Sequence, residues 1–164
     1  MKENISELLI QLLNYRIKQE EISARLYKAM SLWLNFNGYL GASKLWNSYS
    51  EEEFKHAQWS YDYLLDLDVL PELPELPKPE TSFIDLVDII NRSYKHEQEV
   101  TKQCQELAKK AMQELDFMTL ELAQKYLKEQ QEELSKTVTW LDRLEAFGTS
   151  KEALRLLDNE MNEQ

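Results

Sequence analysis

Residues 68–82 read DVLPELPELPKPETS, and this stretch decides the fold. It holds all four prolines of the chain, Pro71, Pro74, Pro77 and Pro79. Proline removes a backbone donor and biases the residue before it away from the helical region, so the segment should run extended across the surface. On both sides the sequence turns to Leu, Glu, Lys, Gln and Ala, all good helix formers. The other breakers are three glycines: Gly38 and Gly41 bracket Tyr39-Leu40, and Gly148 stands alone. The breakers predict α1 near 4–37, α2 near 42–67, the crossover, and α3 from Ser82, where Ser82-x-x-Asp85 has the spacing of a capping box. A helix running from there to Gly148 would reach roughly 100 Å, too long for one compact domain. A break is therefore placed at Glu114–Asp116, which gives α3 as 82–113 and α4 as 116–147 with Asp116 as its cap. Gly148 ends α4, and Thr149-x-x-Glu152 caps a short α5 at about 150–161.

Short α1–α2 and α3–α4 connections make two antiparallel hairpins, and the crossover is long enough to pass from one end of a bundle to the other. The expected architecture is all-α: one domain over 1–164, an antiparallel four-helix bundle with one long crossover and a short fifth helix. Three Gly and four Pro in 164 residues argue against turn-rich β folds and Gly-rich phosphate loops. A net charge of −11 argues against binding to nucleic acid or to anionic membranes, and favours cations. One cysteine, Cys104, excludes an intrachain disulfide and a CxxC metal knuckle, and predicts a reducing, cytoplasmic setting. The opening MKENISELLIQLLN is amphipathic and acidic, unlike a signal peptide, and no run of about 18 apolar residues is present to span a membrane.

Alternating steps of three and four give each helix its expected buried stripe. In α1 the stripe is Leu13, Ile17, Glu20, Ala24, Tyr27, Ser31, Leu34, and in α2 it is Trp46, Tyr49, Glu53, His56, Ser60, Tyr63, Leu67. In α3 it is Leu86, Ile90, Ser93, Glu97, Val100, Cys104, Leu107. In α4 it is Leu120, Ala123, Leu127, Gln130, Leu134, Thr137, Leu141, with Glu133 at its edge. Each stripe carries a carboxylate or its amide near mid-length. Glu20 and His56 both fall about 23–27 Å from the α1–α2 turn, and Glu97 and Gln130 lie at similar depth in the other hairpin. Four ionised glutamates beside one imidazole in a bundle core require compensating cations. Two divalent ions balance them, and oxygen-rich ligands with one His suit Fe, Mn or Zn. A single glutamate on a stripe usually reaches water, and only the matched depth of the set argues for a site. The tryptophans Trp33, Trp46, Trp59 and Trp140 are expected as core or subunit-interface anchors, and Cys104 as a small core residue. A di-metal oxidase without storage and a non-enzymatic bundle with tolerated core acids remain the alternatives on these grounds.

The segments LNYRIKQEEISARLYKAMSLW, EEEFKHAQW, RSYKHEQEVT and YLKEQQEEL resemble those of bacterial non-haem ferritins, in order and over nearly the whole chain. The resemblance implies iron storage coupled to ferroxidase chemistry in a 24-subunit shell, with Fe²⁺ and dioxygen or hydrogen peroxide as substrates. It implies that Glu20, Glu53 and His56 bind a first iron, and that Glu53 bridges to a second held also by Glu97 and Glu133. Gln130 takes the position beside that site, and Tyr27 matches the neighbouring tyrosine, an electron donor. Glu52, Glu129 and Glu132 match carboxylates of a third iron site. Bacterioferritins carry a haem-ligating methionine directly after the bridging glutamate; Phe54 stands there, so no haem is expected.

Overall fold

The computed structural model describes residues 5–164 and contains, among them, five helices and no strand. They are α1 (Glu7–Phe36), α2 (Leu40–Asp66), α3 (Leu86–Gln113), α4 (Phe117–Phe147) and α5 (Lys151–Asn162). The expected α1 start at residue 4 lies outside the described residues.

Each helix begins where a side chain can take an unpaired backbone N–H. Ser6 Oγ accepts from Leu9 N at 3.1 Å, and Asp116 accepts from Thr119 N at 3.0 Å, as its placement in the sequence implies. Two caps differ from expectation. α3 starts at Leu86 rather than near Ser82, because Asp85 itself is the cap and accepts from Asp88 N at 2.8 Å. α5 is capped by Ser150, not Thr149, with Ala153 N at 3.1 Å. In both cases the effective cap is the residue whose backbone is still extended just ahead of the helix. α2 begins at Leu40, before Gly41, so Gly41 lies inside its first turn. The glycine is needed there for close approach: a Cβ would collide with the backbone carbonyl of Asp158 in α5. Asp158 Oδ1 in turn accepts from Ala42 N at 2.7 Å, so α5 caps the helix on which it packs. The α3–α4 break falls at Leu115, which adopts the left-handed conformation with φ 56°.

Cross-helix pairs fix the topology. Residue numbers fall along α1 as they rise along α2, through Ser31–Ser43, Ala24–Ser50 and Glu21–Tyr61. The same opposition relates α1 to α3 through Arg16–Gln103, Ser23–His96 and Met30–Ser93. It relates α2 to α4 through Tyr63–Thr119, Ser60–Tyr126 and Tyr49–Trp140. The result is the antiparallel bundle that a crossover requires. Small residues let α1 and α2 approach closely, and Ser31, Ser43 and Ser50 each donate to a carbonyl of the facing helix at 2.6–2.8 Å.

The core is layered. At one end Leu9, Leu13, Ile17, Leu64, Leu107, Ala111 and Ala123 pack together. Toward the α1–α2 turn Met30, Leu34, Trp46, Leu86, Ile90, Trp140 and Leu144 pack together, sealed by Leu154, Leu157 and Met161 of α5. The stripes of α1 and α3 are buried as expected. In α2 Tyr63 is only half-buried. In α4 the stripe is offset: Thr119, Ala123, Tyr126, Gln130, Glu133, Thr137, Trp140 and Leu144 are buried, while Leu120, Leu127, Leu134 and Leu141 are half-buried. The buried set carries polar atoms that find partners inside. Tyr126 OH donates to His56 O at 2.6 Å, and Trp140 Nε1 donates to Tyr49 OH at 3.2 Å. No helix among the described residues is long and apolar enough to cross a membrane.

Candidate metal centre

Between the two apolar layers lies a polar one. Glu20 from α1, Glu53 and His56 from α2, Glu97 from α3, and Gln130 and Glu133 from α4 are all buried there. Their oxygens and ring nitrogens form two overlapping groups, Glu20–Glu53–His56 and Glu53–Glu97–Glu133, each with ligand atoms within 4.8 Å of one another. Glu53 belongs to both. Glu133 lies in the core rather than at the stripe's edge, because α4 is turned to present Gln130 and Glu133 together. His56 Nδ1 sits 3.2 Å from Glu53 Oε2 and 3.9 Å from Glu20 Oε2, while Nε2 sits 3.3 Å from Glu129 Oε1. The Glu97 carboxylate is held from two sides: the Tyr27 hydroxyl donates to Oε1 and Gln130 Nε2 donates to Oε2 at 2.8 Å.

Crowding acids into a dry layer raises their pKa values. Burial, then the charges of Glu20, Glu97 and Glu133, holds Glu53 well above the usual carboxylate range. Burial and the nearby Glu97 push Glu133 up to about 8, against the pull of Lys136. Glu97 is raised by burial, against the hydrogen bonds from Tyr27 and Gln130 that favour its charged form. Both oxygens of Glu20 are buried without a hydrogen-bond partner. A carboxylate so placed costs free energy unless a cation completes it. Orphaned oxygens, three further glutamates and one imidazole are the donor set of a hard or borderline divalent metal such as Fe²⁺.

Four contributors escaped the stripe reading. Arg16, fully buried, lies one turn from Glu20, with Nε 3.1 Å from Glu20 Oε1. Lys136 Nζ lies 3.4 Å from Glu133 Oε1 and 3.2 Å from Glu52 Oε2. An Arg four residues before one core acid and a Lys three after another are ion-pair spacings, which a search limited to acids and imidazoles passes over. His96 shares a hydrogen bond with Ser23 Oγ at 2.7 Å and stands edge-on to Tyr27 with ring centres 5.8 Å apart. Burial pushes its pKa down to about 4, so it is a neutral brace. Tyr126 is the fourth; it lies three residues after Ala123 and four before Gln130, so a stripe drawn through Glu133 and Trp140 would have included it.

Of the three glutamates matched to a third iron site, Glu129 alone belongs to a group of facing donors among the described residues. Glu129 joins His56 and Glu133 in a third group of facing donors. Glu52 engages the Lys136 ammonium instead, and Glu132 is exposed and outside the three groups found among the described residues.

Comparison with known proteins adds an independent line. A family model described as a ferritin-like domain matches residues 10–147. The bacterial non-heme ferritin of Escherichia coli O6:H1 is 33% identical over 154 residues, covering 94% of this chain and 93% of that protein. The bacterial non-heme ferritin of Campylobacter jejuni is 32% identical, covering 94% of this chain and 92% of that protein. Among solved structures, an open pore ferritin from the hyperthermophilic archaeon Archaeoglobus fulgidus superposes with a TM-score of 0.95 at 31% identity, covering 99% of each chain.

Proposed function

The chain belongs to the ferritin-like family, and from that premise we propose that it oxidises Fe²⁺ with dioxygen inside the bundle and stores the product as a ferric mineral in a 24-subunit shell. The observation that carries this reading is Glu53, whose carboxylate belongs to both groups of facing donors. One shared carboxylate lets two Fe²⁺ ions sit side by side, the first on Glu20, Glu53 and His56, the second on Glu53, Glu97 and Glu133. Each ion gives one electron, so a pair can reduce dioxygen by two electrons to hydrogen peroxide, with two protons taken up. The protein binds, orients and compensates charge. Burial raises the proton affinity of Glu53 and Glu133, so iron entering there competes with protons for these oxygens. Gln130 and the Tyr27 hydroxyl hold Glu97 in one orientation toward the second ion. Tyr27 is buried against Glu97, and burial beside that carboxylate keeps its hydroxyl protonated as the hydrogen-bond donor. Apolar layers above and below exclude water from the pair.

Storage follows from assembly. Leu32, Phe36 and Phe54 are exposed and, with Trp33, line one groove on the α1–α2 face, a surface suited to a second copy of the chain. Light scattering on the purified protein, followed by iron titration in air, tests the reading. A particle of 24 chains that takes up iron well beyond two per chain supports storage. A monomer or dimer that oxidises two irons and retains none would make the chain a di-metal oxidase instead.

A further inference from the structure

Among the described residues Arg16 is the one buried arginine, and its surroundings are specific. Its Nη2 donates to Gln103 Oε1 at 3.0 Å, and Gln103 Nε2 donates to Gln19 Oε1 at 3.3 Å, a chain that pins the guanidinium from the α3 side. Its Cζ stands 5.9 Å from the centre of the Tyr126 ring. On the remaining side Nε lies 3.1 Å from Glu20 Oε1, yet neither Nε nor Nη1 makes an aligned hydrogen bond, and neither does either Glu20 oxygen. The contact is one of charge, not of bidentate geometry. The two Glu20 oxygens are thereby distinguished: Oε1 faces the guanidinium, and Oε2 faces His56 at 3.9 Å.

We propose that Arg16 is a resident counter-cation of the first metal position: it occupies Glu20 Oε1, leaves Oε2 as the single oxygen for a divalent ion, and weakens the retention of that ion. The inference rests on the metal-site reading above and names a positioning residue within it. A fixed positive charge beside a ligand offsets the like charges of the metal-free layer and repels the metal when it is bound. That balance suits an ion that is substrate and must move on. Gln103 and Tyr126 keep the guanidinium from swinging away, so the effect is built into the fold.

Co²⁺ titration of the assembled, metal-free protein at pH 8 tests this, read by the visible d–d bands. Wild type should bind about two Co²⁺ per chain. Arg16→Met should bind the tighter Co²⁺ about tenfold more strongly, with lower absorbance per ion, because Glu20 can now use both oxygens and the coordination number rises. Arg16→Lys, which keeps the charge, should restore the wild-type affinity. If Arg16→Met does not assemble, Arg16→Gln carries the same expectation for affinity. The proposal is overturned if Co²⁺ binds wild type and the folded neutral variants equally well, or binds the variants more weakly. Failure of wild type to bind Co²⁺ within the bundle at all would instead overturn the metal-site reading on which the proposal stands.

Discussion

Two neighbouring layers of this bundle are built on opposite terms. The layer of Leu9, Leu13, Ile17, Leu64 and Leu107 is filled with side chains that gain by leaving water, and it needs nothing else. Farther along the bundle, Glu20, Glu53, Glu97 and Glu133 share a space as dry, with Arg16 and Lys136 as the cations beside them. That layer opposes folding until a ligand completes it. The contrast teaches where stability and function reside: the apolar layers hold the helices in register, and the polar layer uses that rigidity to keep like charges together.

The largest effect is expected from removing the shared ligand. Glu53→Ala should slow the oxidation of two Fe²⁺ per chain at least about a hundredfold, while light scattering still reports an assembled particle. Stopped-flow absorbance checks this, and a wild-type rate would remove Glu53 from the site.

Substitutions in the two layers should next move stability in opposite directions. Leu13→Ala, in the apolar layer, should cost about 2–5 kcal/mol, as a cavity in a packed core does. Glu53→Gln, in the polar layer, should stabilise the metal-free protein by about 1–3 kcal/mol at neutral pH, because an amide of the same shape is neutral in the dry layer without having to take up a proton on folding. Glu97 is the poorer position for this test, since both its oxygens already accept hydrogen bonds. Melts in chelator give the ranking, and destabilisation by Glu53→Gln would contradict the contrast.

A smaller effect should appear with pH. The carboxyl of Glu133 is held near 8 in the fold and titrates near 4.5 in the unfolded chain, so the folded state binds more protons between those values. Its contribution to stability is full below about pH 4.5 and is lost as pH rises toward 8. Metal-free protein should therefore melt lower at pH 8 than at pH 5.5, and saturating Zn²⁺ should raise the midpoint more at pH 8. A Zn²⁺ shift that is larger at pH 5.5 would contradict this. The smallest effect lies outside both layers. Phe54 is half exposed and offers no axial ligand, so protein from haem-supplemented cells should show no Soret band. A band of one haem per two chains would break that expectation.

How much was legible follows from the same contrast. The helices of α1 and α3 could be read from period alone, because their buried faces, Leu13 to Leu34 and Leu86 to Leu107, repeat every three and four residues. The acids at Glu20, Glu53, Glu97 and Glu133 could be read because they interrupt those faces at one depth. α4 misled because Leu127, Leu134 and Leu141 look more apolar than Tyr126, Glu133 and Trp140. The latter are inside because Tyr126 and Trp140 find hydrogen-bond partners across the bundle. Arg16 and Lys136 were hidden for a different reason: a basic residue on a helix is by default solvated, and only the fold shows which carboxylate it meets.

The central claim is that two ions share Glu53 inside the bundle. Anomalous diffraction from crystals soaked in Zn²⁺ or anaerobic Fe²⁺ tests it most directly. The account predicts two peaks per chain in the polar layer, one among Glu20, Glu53 and His56 and one among Glu53, Glu97 and Glu133, both within bonding distance of the Glu53 carboxylate. Peaks confined to surface carboxylates, with Glu53 unliganded, would contradict it.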